Sequence, residues 1–400
     1  MRFDRTYIPY GAYWSTPFCK WQGSLSGEHS VRLAANVTRD ALAVREISGE
    51  AFDSAVLGFT VPQQNSFYGT PWFTGMAGAP GVTGPMVAQA CATGARVLAT
   101  AAGEVEATGE RTVLTVTADR CSNGPHMYYP NPGGPGGTGG HEDWVWDNFS
   151  HDPWAKNGML ETAENVAKEQ GVSREEQDQV ALIRFEQYQQ ALADDHAFQK
   201  RYMVTPFELK NRKGKVTASI PTDEGVFPTT AEGLAGLRPV MPDGTVTFGS
   251  QTHPADGNCG MIVCGPDQAK ALSRDSKVTV RVLSYGEGRV EKGFMAKATV
   301  PAARAALAAA GLDVAGVDAI KTHNPFAVND VYFAREMGIA ADSFNNYGSS
   351  LVFGHPQGPT GTRLMIELIE ELAMRGGGVG LFVGCAAGDS GAAICLKVDA

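Results

Sequence analysis

The sequence predicts an α/β fold of two similar halves with an insertion between them. Three observations predict it. Apolar, β-branched runs alternate with helical runs in the first 120 residues and again from Lys277, which is the texture of a sheet covered by helices. Each stretch carries a cysteine followed by small residues, Cys91-Ala-Thr-Gly94 and Cys385-Ala-Ala-Gly388, a weak echo of internal duplication. Between them, residues 121–157 hold Pro130, Pro132, Pro135, a glycine-rich run from Gly133 to Gly140, and Trp144, Trp146 and Trp154. That is a long irregular insertion, and its aromatics argue against disorder.

The elements follow in order. Residues 28–48 alternate charge with apolar stripes and read as a helix. Residues 54–60 read as a strand. Residues 91–103 are small and apolar nearly all round, which suits a fully buried helix. Thr112–Thr117 is β-branched and reads as a central strand. Ser173 and Glu176 form a capping box ahead of a helix with Val180, Ile183, Tyr188 and Leu192 at helical spacing. Residues 200–215 are locally basic (Lys200, Arg201, Lys210, Arg212, Lys213, Lys215), either a solvated face or a seat for phosphates. In the second half the strands are Val278–Leu283, Val317–Lys321, Gly378–Val383 and Ala392–Val398, with helices at Val300–Ala310 and Leu364–Met374.

Composition narrows the function. The net charge of −10 argues against a general nucleic-acid binder. No segment reaches the roughly 18 consecutive apolar residues of a membrane span. With no apolar signal core after Met1, the expected location is the cytoplasm. Seven scattered cysteines without a C-x-x-C fit neither a disulfide framework nor a zinc ribbon, and no metal is expected. The 48 glycines exceed the usual ~7% and imply many tight turns or close backbone approaches.

Two motif matches are rejected. Gly134-Pro-Gly136-Gly137-Thr-Gly139 fits G-x-G-x-x-G but lies inside the glycine run, with neither the strand nor the helix that a dinucleotide site needs. Gly388-Asp389-Ser390-Gly391 resembles a serine-protease nucleophile segment, in a chain that is not all-β. Cys91 is a stronger candidate. It precedes a buried helix, where free N–H groups and the helix dipole are expected to lower a thiol pKa. A small buried hydrophobe is the ordinary role of a cysteine. A nucleophile also needs a histidine and oxyanion donors. His323 and His355 both follow apolar runs in loops, where a site at a sheet edge would lie.

Taken together, the motifs resemble the thiolase family from end to end. Thr16-Pro17-Phe18-Cys19-Lys20 with Gly23-Ser24-Leu25 is similar to its opening segment. Cys91-Ala-Thr-Gly94 resembles the nucleophile motif, and Thr162-Ala163-Glu164-Asn165-Val166-Ala167 the helical loop domain. Leu237-Arg238-Pro239 resembles the return to the core. His323-Asn-Pro-Phe-Ala327 is similar to the Asn/His-Glu-Ala-Phe box, Gly354-His355-Pro356 to the Gly-His-Pro box, and Cys385 opens the last cysteine-glycine motif.

The resemblance implies two duplicated α/β halves in five αβαβα layers: residues 1–120 plus 250–275, an inserted coenzyme A and acyl loop domain at 121–249, and residues 276–400. It implies ping-pong acyl transfer with Cys91 as nucleophile, His355 activating it and Cys385 as general acid/base. His323 would hold the thioester oxygen, and the backbone N–H of Ala387 would complete a second oxyanion hole. Thr252 stands where the family has a serine near the pantetheine, His253 follows it, and Met159 matches a pocket residue. Three positions depart from the pattern: Asn324-Pro325 where Glu-Ala is usual, Ala387 where glycine is usual, and His253-Pro254 after Thr252.

The implied partners are acyl-CoA and CoA, the latter a co-substrate with no permanent cofactor. A homodimer or dimer of dimers and a small zinc-ribbon/OB-fold subunit are further expectations. Tyr128, Tyr129, Trp144, Trp146 and Trp154 point to a bulky or aromatic acyl group, as in benzoylsuccinyl-CoA cleavage, or to packing of the loop alone. The alternatives are a biosynthetic acetoacetyl-CoA enzyme and a non-catalytic subunit of an acyl-CoA complex.

Overall fold

The computed structural model describes residues 1–211 and 213–400. The first half runs through Tyr7–Ile8 (β1), Tyr13–Ser15 (β2), Cys19–Lys20 (β3), Ser30–Val44 (α1), Ser54–Gly58 (β4), Gly69–Met76 (α2), Met86–Val87 (β5), Thr93–Thr108 (α3) and Thr112–Arg120 (β6). Next come His126–Tyr129 (β7), Gly140–Asp143 (β8), Trp146–Ser150 (α4), Met159–Gln170 (α5), Arg174–His196 (α6), Phe207–Lys210 (β9), Val216–Ile220 (β10) and Ala231–Ala235 (α7). The chain returns through Ala255–Cys264 (β11) and Pro266–Leu272 (α8). It ends in Thr279–Arg289 (β12), Thr299–Ala310 (α9), Ala319–His323 (β13), Ala327–Met337 (α10), Ser350–Phe353 (α11), Gln357–Met374 (α12), Gly377–Ala386 (β14) and Ser390–Asp399 (β15).

The strands repeat one pattern. β4 is parallel to β6, and β6 is antiparallel to β11. β13 is parallel to β14, and β14 is antiparallel to β15. β1 then follows β11 as β12 follows β15, and β1 pairs β12 to join the two sets into one mixed sheet. The expected duplication is therefore present in the hydrogen-bond order.

The helices explain why the first cysteine segment is rich in small residues. α3 and α12 touch each other and strands of both halves, so they form the middle of five layers. α1 lies outside the first set of strands and α9 outside the second. A helix covered on both sides has no polar face to spare, and α3 buries nine residues, five of them alanine or glycine. At Gly94 an added Cβ would stand 2.6 Å from the Thr362 backbone nitrogen of α12, so only glycine permits the contact. The small residues set the spacing of the two helices that carry Cys91 and His355 at their starts.

The insertion is tied to the core by buried ion pairs. Arg184 of α6 meets Asp330 of α10 at 2.8 Å, with both side chains fully buried. Asp223 accepts two bonds from Arg363 of α12, at 2.6 and 2.8 Å. Removing one partner of such a pair costs about 3–5 kcal/mol, because the other charge is left in a low dielectric.

Several local expectations change. The glycine run closes the β7–β8 hairpin and lies away from the central cavity described below. The described residues of the basic stretch lie off that cavity. Lys200 pairs with Asp195, Arg201 with Glu370 and Lys210 with Glu208, and none lines it. Arg212 lies outside the described residues. Among the described residues no helix is long and apolar enough to cross a membrane.

Candidate active site

Cys91 sits on a turn between β5 and α3, behind Ala90, whose φ is +44°. A left-handed alanine is unusual. Here it turns the chain sharply from strand to helix and leaves the thiol at the base of a cavity of about 1380 Å³. His355 also lines this cavity, held by Gly354 at φ +88°. His323 is the last residue of β13 and Cys385 lies near the end of β14, so parallel strands deliver both to the same edge. Both are fully buried.

Residues 251–254 bind the two histidine loops together. The Thr252 N–H donates to the Pro325 carbonyl at 2.8 Å, and the His355 N–H donates to the His253 carbonyl at 2.9 Å. Thr252, His253, Met159 and Ala387 all line the cavity with Cys91 and His355. The residues singled out in sequence are thus brought to one place, with His323 and Cys385 just behind the wall.

The imidazoles of His323 and His355 stack with centroids 4.0 Å apart. Their ligand atoms and the Cys91 sulfur lie within 4.8 Å of one another. The surrounding hydrogen bonds assign the tautomers. His355 Nδ1 is 2.7 Å from Thr360 Oγ1, and that hydroxyl donates to the Pro356 carbonyl at 2.7 Å. A hydroxyl has one proton, so Thr360 accepts from Nδ1–H and His355 Nε2 carries a lone pair. His323 repeats the arrangement. Its Nδ1 is 2.9 Å from Ser350 Oγ, which donates to Asn324 Oδ1 at 3.1 Å. Asn324 is held in that orientation because its amide donates to the Asp330 carboxylate at 2.6 Å. Neither Nε2 has a hydrogen-bond partner among the described residues.

Burial dominates the electrostatics. It lowers the His323 pKa to about 3 and pushes that of His355 well below the usual imidazole value, with His323 as a second cause. Both rings are neutral bases at pH 7. Burial also raises the Cys91 thiol to about 12, against the N–H groups of Ala387 and of Cys91 itself, which point at the sulfur. The expected lowering by the helix start is present but loses to desolvation. Cys385 is raised as well, first by burial and then by Cys91, while Asn329 donates to its sulfur at 3.2 Å. The resting site therefore holds two neutral thiols and two neutral imidazoles. The Cys91 proton must leave as the sulfur attacks.

Several contributors had no signal in the sequence. Ser350 and Asn329 touch the reactive groups only through tertiary packing, and Thr360 reaches His355 from the first turns of the helix that follows it. Asp119 accepts N–H bonds from Thr60, Val61 and Gly358 at 2.7–3.0 Å, and burial raises its pKa to about 6. It anchors α12 just after His355. Of the five aromatics expected around the acyl group, Trp144 and Trp146 line the cavity. Tyr128 and Tyr129, on the β7–β8 hairpin, and Trp154, between α4 and α5, are exposed and lie off it. Phe149, Phe227 and Phe248 take their place.

Comparison with known proteins agrees with the whole chain's layout. A family model described as the thiolase N-terminal domain matches residues 12–267, and one described as the thiolase C-terminal domain matches residues 276–398. An acetyl-CoA acetyltransferase of Pseudomonas aeruginosa is 30% identical over 390 residues, covering 95% of this chain and 96% of the relative. A beta-ketothiolase of Cupriavidus necator is 30% identical over 381 residues, covering 94% and 95%. Human mitochondrial 3-ketoacyl-CoA thiolase, solved in complex with CoA, superposes with a TM-score of 0.88 at 25% identity and 98% coverage of both chains.

Proposed function

Since the chain belongs to the thiolase family of acyltransferases, we propose that it cleaves a bulky or aromatic 3-oxoacyl-CoA with CoA, a reaction that runs backwards as a Claisen condensation. In the first step the Cys91 sulfur attacks the 3-oxo carbon while its proton passes to the Nε2 lone pair of His355. The C2–C3 bond breaks, the acyl group stays on Cys91, and Cys385 delivers a proton to Cα of the departing acetyl-CoA enolate. In the second step CoA attacks the thioester, Cys385 takes the CoA thiol proton, acyl-CoA leaves, and His355 returns its proton to the Cys91 thiolate.

The oxyanions have two supports. The Ala387 and Cys91 N–H groups receive the tetrahedral intermediate. The enolate oxygen lies at the histidine pair, where protonated His355 is a donor. Neutral His323 presents an acceptor, so it serves that oxygen through a water donated to its Nε2. Thr252, His253 and Met159 line the pantetheine and acyl channel. The N-terminal half is residues 1–120 plus 250–275, the loop domain 121–249 and the C-terminal half 276–400.

The observation that carries the acyl specificity is the aromatic lining of Trp144 and Phe149, with Trp146, Phe227 and Phe248 at the exposed rim, in a cavity of about 1380 Å³ that also takes the pantetheine. A short acetoacetyl chain leaves such a lining unfilled, and unfilled apolar surface adds no binding energy. The test compares kcat/KM for acetoacetyl-CoA with that for a benzoyl-type 3-oxoacyl-CoA. Preference for the aromatic substrate supports the reading. Preference for acetoacetyl-CoA turns it to the small-chain biosynthetic alternative.

A further inference from the structure

Three soft donor atoms converge beneath the cavity with one proton among them. One ring nitrogen of each histidine and the Cys91 sulfur lie within 4.8 Å of one another. Both Nδ1 protons are engaged with the hydroxyls of Ser350 and Thr360. The S–H can donate to one Nε2 only, so the second lone pair is buried without a hydrogen from the protein. An acceptor left so is costly, and a cation satisfies all three atoms at once.

We propose that Cys91, His323 and His355 form a capture site for zinc, through which a zinc ion reversibly silences the enzyme. On binding, the Cys91 S–H bond breaks, its proton leaves to solvent, and one Zn–S and two Zn–N bonds form. Ligand atoms around a tetrahedral zinc stand roughly 3.3–3.6 Å apart, given Zn–S near 2.3 Å and Zn–N near 2.0 Å. The three atoms therefore close by up to about 1.5 Å, and the stacked rings, whose planes differ by 27°, turn apart so that both lone pairs meet the ion. Two imidazoles and a thiolate, with no carboxylate among them, select zinc or its softer neighbours over magnesium and calcium.

The structure supplies the other requirements of such a site. Each ligating imidazole has its far nitrogen fixed by a hydroxyl, the outer contact that metal-binding histidines use. The fourth position faces the cavity that Cys91 and His355 line, which gives the ion an entry path and a place for water. His323 makes the difference: with an amide there, only one imidazole would face the thiol. Zinc withdraws charge from the Cys91 sulfur and occupies the space beside it and the two imidazoles, so the thiolate is a poorer nucleophile and the thioester is kept away.

Two readouts test this without reference to turnover. Metal-free protein is titrated with cobalt(II) as a spectroscopic probe, and Cys91 alkylation by iodoacetamide is followed by mass spectrometry with and without zinc. The expected result is a thiolate-to-cobalt charge-transfer band saturating at one equivalent, absent in Cys91→Ala and bleached by zinc. Zinc should also protect Cys91, while magnesium does not. His323→Asn should need at least about tenfold more zinc for the same protection. A cobalt band that persists in Cys91→Ala, or alkylation unaffected by a tenfold excess of zinc, overturns the proposal. Either can occur whether or not the proposed acyl transfer is found.

Discussion

The rings of His323 and His355 lie face to face at 4.0 Å with only 27° between their planes. Two imidazolium ions could not share that space, because like charges at such a distance repel strongly in a buried site. Stacking and burial together keep both rings neutral, and the hydroxyls behind them aim both lone pairs at one thiol.

The first prediction concerns that thiol. Incubation with a cleavable 3-oxoacyl-CoA should give an acyl adduct on Cys91 by mass spectrometry, absent in Cys91→Ala. Turnover in that variant should fall by at least about 10³-fold, as for other lost nucleophiles. Cys385→Ala should still acylate from a simple acyl-CoA but lose condensation. Equal loss of both steps would refute the division of roles between the two sulfurs.

The pH dependence of stability follows from the same burial. His323 has a folded pKa near 3 against an ordinary 6.5. Between those values the unfolded chain binds the extra proton, so stability is full above about pH 6.5 and drains away as pH falls toward 3. Cys91 has the opposite sense: its folded pKa near 12 against 9 means that stability declines above pH 9, where the unfolded chain sheds the proton. His323→Asn should therefore lose less Tm between pH 7 and pH 5 than the parent. An unchanged acid slope by calorimetry would count against a neutral buried His323.

Ser350 should act through His323. Ser350→Ala removes the acceptor for the Nδ1 proton and frees the ring to adopt the other tautomer. Nitrogen-15 spectra of histidine-labelled protein should show His323 protonated at Nδ1 in the parent and mixed in the variant, with His355 unaltered. The kcat should fall about 10-fold or more with little change in KM, in keeping with lost orientation of a reacting group. A His323 already protonated at Nε2 in the parent would contradict the hydrogen-bond assignment.

Arg184 should matter for stability through Asp330, which also holds Asn324 and acts on the Cys385 thiol. Arg184→Met leaves Asp330 buried and uncompensated, with an expected loss of about 3–5 kcal/mol in urea unfolding. A loss below about 1 kcal/mol would mean that Asn324, Thr322 and Asn345, which also donate to Asp330, suffice to hold its charge.

Some of this was legible along the chain. The alternation of small helices and β-branched strands announced the layered fold, since a helix between two sheets must lack bulk on every side. Cys91, His355 and Cys385 stood out because glycines flank them, and backbone must come close where a thioester is held. The glycine surplus does not mark binding loops throughout, however: Gly133–Gly140 lies off the cavity. That run only closes a hairpin, a role that composition does not distinguish from a binding loop.

What only the tertiary structure decided is the state of the reactive groups. A helix start lowers a thiol pKa in isolation, but Cys91 lies between two sheets, and desolvation outweighs the dipole. Ser350, Thr360 and Asn329 are ordinary residues in sequence. Ser350 and Asn329 become partners of His323 and Cys385 because elements distant in the chain end at one edge, and Thr360 meets His355 because α12 starts just after it. Sequence determines which side chains are available. Which proton sits on which nitrogen depends on neighbours that packing alone supplies.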